Sequence, residues 1–249
     1  MAKWLNALIT QRTNWNDHLF SLRFTCDEFP AFIAVQFVKI GLEQADGQIL
    51  SRPYSLVSAP HQNYLEIMAV PVNKGFLSPQ LHTLQKGDSF KLMSPATGFL
   101  VIDEVPKSPH LFMLATGTGV GPFLSIIQGD QVWSKYQQIV LVYGVRKVED
   151  LAYTPLILEI LARYPSKFKF VPIVSREGYA QGLTGRIPLL IENGAIQQFC
   201  EVEMTPDNSQ LMLCGNPEMI TDSLDILGKL GFSKHLRRKP GQISMERYW

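Results

Sequence analysis

The sequence predicts two domains, an antiparallel β-barrel over residues 1–100 followed by an α/β domain with a parallel sheet over residues 101–249. Two observations support this prediction. Before residue 100, short β-favouring runs are separated by Gly, Pro and Asn, without long helical periodicity. From residue 110 onward, apolar strands alternate with helical segments, which is typical of a sheet built from β-α-β units.

The predicted elements follow in chain order. Barrel strands are expected at Val35–Leu42, Tyr54–Ser58, Tyr64–Val72 and Ser89–Met93. Strands of the second sheet are expected at Leu111–Ala115, Ile139–Tyr143, Lys169–Val174 and Gln210–Cys214. Helices are expected from about Pro122, near Pro155–Arg163 and after Pro217. Because the carboxyl ends of parallel strands carry ligands, residues that follow these strands are the first site candidates.

The composition narrows the classes of function. Lys and Arg number 23 against 22 Asp and Glu, so no global field favours nucleic acid or a membrane as the principal partner. The three cysteines, Cys26, Cys200 and Cys214, lack the spacing of a zinc site, an iron–sulfur cluster or a disulfide framework, and no metal is expected. Without an apolar signal core or a bilayer-length run, we expect a soluble cytoplasmic protein, a monomer by default.

A glycine-rich turn, Ala115–Pro122, directly follows a predicted strand and directly precedes a predicted helix. Its glycines permit a tight turn and a close backbone approach, and a helix N-terminus offers N–H groups to a phosphate. The spacing is neither the dinucleotide GxGxxG pattern nor a Walker A loop. The turn therefore suits a diphosphate, with a plain strand-to-helix connection as the alternative.

A second candidate is Arg52-Pro53-Tyr54-Ser55, where a turn enters a barrel strand. A guanidinium can clamp a diphosphate, an aromatic ring can lie against a planar heterocycle, and a hydroxyl can bond a ring nitrogen. Together these groups suit a flavin nucleotide. The alternative is that Tyr54 and Ser55 are ordinary packing residues of a strand.

A third set follows successive strands: Val145-Arg146, Ser175-Arg176 and, near a helix start, Arg186. Parallel folding would gather these residues at one rim. Arginines there can pair bidentately with a phosphate, so a 2′-phosphate is a natural ligand and NADP is favoured over NAD. The alternative is three solvated arginines in loops.

Four motifs occur in order along almost the whole chain: Arg-x-Tyr-Ser at 52–55, Gly75-Phe76-Leu77-Ser78, Gly-Thr-Gly-x-x-Pro at 117–122, and Cys214-Gly215-Asn216-Pro217. The chain resembles the ferredoxin–NADP⁺ reductases, and its ending, Glu246-Arg247-Tyr248-Trp249, resembles the short bacterial subgroup that closes in Tyr-Trp. The resemblance implies a FAD-binding β-barrel, an NADP-binding α/β domain and a C-terminal tail that returns to the flavin. It also implies electron exchange between NADP(H) and ferredoxin or flavodoxin, by hydride transfer at FAD N5.

The resemblance implies a set of site residues. Arg52 would bind the FAD diphosphate, Tyr54 would pack on the isoalloxazine, and Ser55 would lie beside N5. The complete expected FAD set is Arg52, Pro53, Tyr54, Ser55, Met68, Ala69, Val70, Pro71, Phe76, Leu77, Ser78, Thr118, Tyr248 and Trp249. The expected NADP set is Val145, Arg146, Ser175, Arg176, Arg186 and Asp222.

The residues expected at the reaction centre are Ser55, Cys214, Glu246 and Tyr248. By resemblance, Cys214 would stand near the nicotinamide, Glu246 would support proton transfer, and Tyr248 would cover the other face of the flavin. Each has a structural alternative: a small residue that ends a buried strand, a surface charge, and a tail packed on the barrel.

The densest basic run is Lys234-His235-Leu236-Arg237-Arg238-Lys239. Such a patch can steer an acidic protein, here ferredoxin or flavodoxin, to the flavin edge, although a charge run is often only a solvated face. Two other functions stay open. One is an NAD(P)H-dependent flavin or cytochrome reductase on the same two-domain plan. The other is a nucleotide-binding regulator or an electron-transfer subunit.

Overall fold

The computed structural model describes residues 2–247 and contains two sheets. The first sheet is antiparallel, with strand order β4-β3-β6-β1-β2-β5. Its elements are β1 (Lys3–Asn14), β2 (Phe20–Thr25), β3 (Phe37–Glu43), β4 (Ile49–Ser55), β5 (Leu65–Ala69), helix α1 (Ser78–Thr83) and β6 (Ser89–Ser94). In β1, Leu5, Ala7 and Ile9 are buried while the residues between them face outward, the alternation expected of a half-buried strand.

The two ends of this sheet meet at a single point. Leu56, just after β4, forms an antiparallel bridge with Ile67 of β5, and the Val57 N–H donates to the Glu66 carbonyl at 2.8 Å. This contact closes the strands into a barrel around a core that includes Phe20, and the predicted barrel is confirmed. On the other side of the bridge, β4 and β5 share no backbone hydrogen bond within the described residues; this unpaired stretch is called the seam.

The second sheet is parallel, with strand order β10-β9-β8-β7-β11-β12. Its strands are β7 (His110–Thr116), β8 (Gln138–Val145), β9 (Phe168–Val174), β10 (Leu183–Thr184), β11 (Ser209–Gly215) and β12 (Ile243–Arg247). Its helices are α2 (Gly121–Ile127), α3 (Gln131–Lys135), α4 (Thr154–Arg163), α5 (Ile187–Glu192), α6 (Ala195–Cys200) and α7 (Pro217–Lys229). The central strands are apolar throughout because both faces of the sheet are covered.

The strand order places a crevice. From β7 the chain proceeds outward through β8 and β9 to β10, then crosses to β11 on the other side of β7. Ligands of open α/β sheets bind outside the carboxyl ends of strands at such a reversal. The β7 and β11 ends are the glycine-rich turn and Cys214-Gly215, so two motifs quoted above meet at this crevice.

The two sheets pack against each other through an apolar interface. Leu19, Val57 and Met68 of the barrel belong to the same buried cluster as Met113 and Phe123 of the second half. Strands of the barrel end at Ser94 and those of the second sheet begin at His110. We retain the boundary near residue 100 as a proposal. No helix in residues 2–247 combines the length and apolar character needed to cross a membrane.

Some predicted elements differ in extent. The predicted strand Val35–Leu42 begins at Phe37, because Val35 has a φ of 81° and its backbone leaves the extended conformation. The predicted strand Tyr54–Ser58 is the end of a longer strand, Ile49–Ser55, plus the closing bridge. Strands β1, β2, β10 and β12 have no counterpart among the predicted elements.

Candidate active site

A cleft of about 510 Å³ lies at the carboxyl edge of the parallel sheet, between the two halves. His18, Leu19, Val70 and Pro71 of the barrel form one wall. The cleft gathers nine residues expected at the site: Val70, Pro71, Thr118, Val145, Arg146, Ser175, Arg176, Arg186 and Asp222. All six residues expected to bind NADP thus line one surface.

The arginines of the cleft have an unsatisfied positive charge. Arg146 follows β8, Arg176 follows β9, and Arg186 precedes α5; all three are exposed. The Arg176 N–H donates to the Arg146 carbonyl at 2.9 Å, and the Ser175 hydroxyl donates to the Val145 carbonyl at 3.1 Å. No carboxylate in the described part of the chain lies within 4.0 Å of their guanidinium groups. This rim therefore suits an anionic ligand.

The glycine-rich turn lies directly against the end of β11. A Cβ atom on Gly119 would stand 2.6 Å from the Cys214 carbonyl oxygen. Gly215 has a φ of +131°, and a Cβ there would overlap Thr116 Oγ1. These two positions require glycine because the two strand ends approach so closely. The same Thr116 Oγ1 accepts from the Asn216 N–H at 2.9 Å, which ties the β7 end to the start of α7.

Cys214 and Glu246 are side by side on neighbouring strands. Cys214 is fully buried, and the strand register pairs it with Ala115 of β7 on one side and Glu246 of β12 on the other. Glu246 is half-buried, and its Oε2 atom has no hydrogen-bond partner within the described residues. Burial raises the pKa of Glu246 to about 7. Neither side chain lines the cleft itself, and Tyr248 and Trp249 lie outside the described residues.

The barrel seam brings the flavin candidates toward one another. Ser55 and Tyr54 precede the Leu56–Ile67 bridge on one strand, and Met68 and Ala69 follow it on the other. The Ser55 hydroxyl makes no hydrogen bond to any residue of 2–247, although the residue is buried. Burial raises the pKa of Tyr54 to about 12, with Arg52 acting in the opposite direction, so its phenol is neutral.

The other barrel candidates differ in accessibility. Arg52 and Pro53 are exposed, and the Arg52 guanidinium donates to the Ser51 carbonyl at 2.7 Å without a carboxylate partner in the described range. Met68 and Ala69 are buried, at 5% and 3% exposure, so only their neighbours Val70 and Pro71 reach the cleft.

The turn at 75–78 is held in shape by its own serine. Ser78 Oγ accepts from the Val72 N–H at 2.9 Å, and Leu77 is buried beneath the turn, whereas Phe76 is 74% exposed. The backbone N–H groups of Phe76 and Leu77 donate to no acceptor within the described residues. The turn therefore presents two N–H donors beside an exposed aromatic ring.

The expected site sets omit several residues of the cleft, although Thr116 and Asn216 lie within the motifs at 115–122 and 214–217. Thr116 and Asn216 stabilise its floor, and Asn216 Oδ1 also accepts from the Glu218 N–H at 2.7 Å, capping α7. An Asn directly before a Pro is a readable helix start, so this cap had a signal. His18 and Leu19 had none, because they lie in a short turn before a strand that was not predicted.

Comparisons with known proteins agree with this geometry. A family model described as the oxidoreductase NAD-binding domain matches residues 113–225. The chain is 44% identical over 250 residues, all of both chains, to the flavodoxin/ferredoxin–NADP reductase of Escherichia coli (strain K12). This chain belongs to the flavodoxin/ferredoxin–NADP reductase family.

Solved structures agree with this membership. A ferredoxin NADP⁺ reductase from Neisseria gonorrhoeae with bound FAD and NADP superimposes with a TM-score of 0.94, at 34% identity and 99% coverage of both chains. The cytochrome b5 reductase domain of Ulva prolifera nitrate reductase superimposes with a TM-score of 0.78 at 18% identity, covering 98% of this chain and 97% of that one. The second likeness shows that the fold of the reductase family also serves proteins of other names.

Proposed function

We propose that this chain is an oxidoreductase that exchanges electrons between NADP(H) and ferredoxin or flavodoxin through bound FAD. The observation that carries the proposal is the cleft between the halves, in which an arginine rim without carboxylate partners in residues 2–247 faces the barrel wall formed by His18, Leu19, Val70 and Pro71. The arginine rim suits the phosphates of NADP(H). The seam suits a flat ring.

The barrel residues fit FAD. The Arg52 guanidinium and the N–H groups of Phe76 and Leu77 would hold the diphosphate, because each is a donor without an acidic partner in residues 2–247. Tyr54, neutral at physiological pH, would pack on the ring, and the unbonded Ser55 hydroxyl would donate to it. Bound FAD supplies hydride acceptance and the release of single electrons. We infer that the other residues of the expected FAD set, including Thr118, Tyr248 and Trp249, also contact FAD.

The α/β residues fit NADP(H). Arg146, Arg176 and Arg186 would bind the 2′-phosphate and diphosphate, and Ser175 and Asp222 would contact the adenosine half. The dinucleotide would then run along the cleft toward Val70 and Thr118. That direction would bring its nicotinamide to the crevice at the reversal of strand order, where the β7 and β11 ends meet.

Cys214 and Glu246, which are neighbours on β11 and β12, would contribute to the reaction centre. Cys214 is a small group at the end of β11, so it leaves space for the nicotinamide ring next to the glycine-rich turn. Glu246 has a pKa of about 7, so it can take up or give back a proton near neutral pH. Its buried Oε2 has no hydrogen-bond partner in residues 2–247 and would bond to the group that exchanges the proton.

The electron carrier would dock near the basic run. Lys234, Arg237, Arg238 and Lys239 are exposed, and none has a carboxylate within 4.0 Å in the described part of the chain. Such a patch attracts an acidic protein and accelerates its association. We also propose a cytoplasmic monomer that does not bind nucleic acid.

Spectroscopy on the purified protein tests the function. We expect a yellow protein whose flavin absorbance is bleached anaerobically by NADPH far more efficiently than by NADH, and which then reduces ferredoxin or flavodoxin. A colourless protein that takes up no FAD would overturn the proposal. Equal efficiency with NADH, or transfer only to free flavin or cytochrome, would instead favour the alternative reductase function.

A further inference from the structure

A buried hydrogen-bond chain joins the barrel to the α/β half. Tyr153 directly precedes α4, and its hydroxyl donates to Glu66 Oε1 of β5 at 2.9 Å. It also lies 2.6 Å from Ser21 Oγ of β2, and Trp15 Nε1 donates to that serine at 2.8 Å. All of these partners of Tyr153 belong to the barrel, 87 to 138 residues away in sequence.

The donor and the acceptor of each hydrogen bond around Tyr153 can be assigned. Burial, reinforced by the Glu66 carboxylate, raises the pKa of Tyr153 well above its ordinary value, so the hydroxyl keeps its proton and donates it to Glu66. Ser21 must then donate to Tyr153. The second oxygen of Glu66 accepts from Arg23 at 3.1 Å, so both oxygens of this buried carboxylate are bonded.

The backbone at Tyr153 is unusual. Its φ is 59°, a left-handed conformation that is uncommon for a residue with a large side chain. The ring is buried and lies 4.5 Å from the Trp15 ring, centroid to centroid. Such a conformation persists where the surroundings hold it, and here the barrel supplies those contacts.

A second contact joins the same segments at the cleft mouth. Asn16 Nδ2 donates to Asp150 Oδ1 at 3.0 Å, and His18 Nε2 lies 3.2 Å from that same oxygen. His18 and Asp150 both line the cleft. The two contacts together form a strut, defined here as residues 15–21 and Glu66 of the barrel with residues 149–153 of the α/β half.

The strut connects the two walls of the cleft. On the barrel side, Glu66 lies on the strand that continues to Val70 and Pro71. On the other side, residues 149–153 follow the β8 end that carries Val145 and Arg146. The strut therefore joins the segment that carries the barrel wall to the segment that leads away from the arginine rim.

We propose that the Tyr153–Glu66 hydrogen bond is a positioning contact that sets the width of the cleft and so selects the whole dinucleotide over its adenine half. The inference rests on the proposed function. A nicotinamide dinucleotide spans both walls, so its affinity depends on their separation. A ligand such as 2′,5′-ADP reaches only the arginine rim, so its affinity does not.

The test is Tyr153→Phe in the FAD-loaded protein, with dissociation constants for NADP⁺ and 2′,5′-ADP measured by calorimetry. Losing a buried hydrogen bond to a charged group should weaken NADP⁺ binding about fivefold or more, because the arrangement competent to bind is less populated. Binding of 2′,5′-ADP should stay within about twofold. The matched control is Tyr136→Phe, because the Tyr136 hydroxyl donates at 3.4 Å to Pro106 away from the interface; it should leave both constants unchanged.

Glu66→Gln gives a second route to the same contact, since it keeps the shape and removes the charge. In the Glu66→Gln background, Tyr153→Phe should cost less NADP⁺ affinity than in the unaltered protein, because both act through one bond. Equal losses for NADP⁺ and 2′,5′-ADP, or unchanged NADP⁺ binding with a lower melting temperature, would overturn the proposal. Failure of the unaltered protein to bind either ligand would instead overturn the proposed function.

Discussion

Replacing Gly119 with alanine places a methyl group where the structure has no space for one. The new Cβ would stand 2.6 Å from the Cys214 carbonyl oxygen and 2.7 Å from the Gly215 Cα, both backbone atoms. Ordinary contact begins at 3.4 Å, so the turn and the β11 end must separate by about 0.8 Å. Overpacking of this kind costs about 2 kcal/mol, which lowers the melting temperature of a chain of this size by about 4–8 °C.

The same displacement should also slow hydride transfer. The turn and the β11 end meet at the crevice, where the nicotinamide is proposed to react. A misplacement of about 1 Å at a reacting centre can cost about 100-fold in rate. We therefore expect flavin reduction by NADPH, followed by stopped-flow absorbance, to slow by about tenfold or more.

A matched glycine replacement serves as the control. Gly228 lies in α7, and apart from its chain neighbours and the helix's own backbone no atom lies within 4 Å of the place that an added methyl group would take. Gly228→Ala should therefore leave the rate unchanged and raise the melting temperature slightly. If Gly119→Ala melts and reacts like the unaltered protein, the turn does not depend on its contact with β11.

Three further perturbations follow from the site. Burial raises the pKa of Glu246 from 4.5 to about 7, so between these pH values the folded state binds more protons than the unfolded state. The protein should therefore lose stability as pH rises through this range, and Glu246→Gln should abolish that loss in melting curves recorded from pH 5 to 8. Arg176→Ala should raise the KM for NADPH about tenfold and leave the KM for NADH unchanged, because only NADPH carries the 2′-phosphate; equal changes would contradict that role. Reversing charge at Arg237 and Arg238 should weaken ferredoxin or flavodoxin binding and flatten its salt dependence, while ferricyanide reduction stays constant; an unaltered salt dependence would count against docking there.

The sequence predicted the architecture and the arginine rim well. Arg146 and Arg176 each follow a strand with a continuous apolar run, so a parallel sheet had to bring them to one edge. Strand β1 was missed because its alternation is broken: Leu8 is apolar but 49% exposed, and the strand register shifts between Ile9 and Gln11.

The strut could not be predicted. Glu66 and Tyr153 are 87 residues apart, and neither stands in a pattern that marks it. A Glu within a strand is usually read as an outward charge, and a Tyr before a proline-started helix as ordinary packing. Their meeting depends on how two sheets dock, which no local pattern encodes.

The barrel closes at one residue pair, and this has a consequence for aggregation of the chain. Where β4 and β5 are not paired, the partly exposed edge of β4 is left without a strand partner among the described residues, whereas every residue of β5 is buried. Unpaired edges are templates for pairing with other chains and hence for aggregation. A flavin bound at the seam would cover the β4 edge, so we expect the FAD-loaded chain to aggregate less than the chain without FAD.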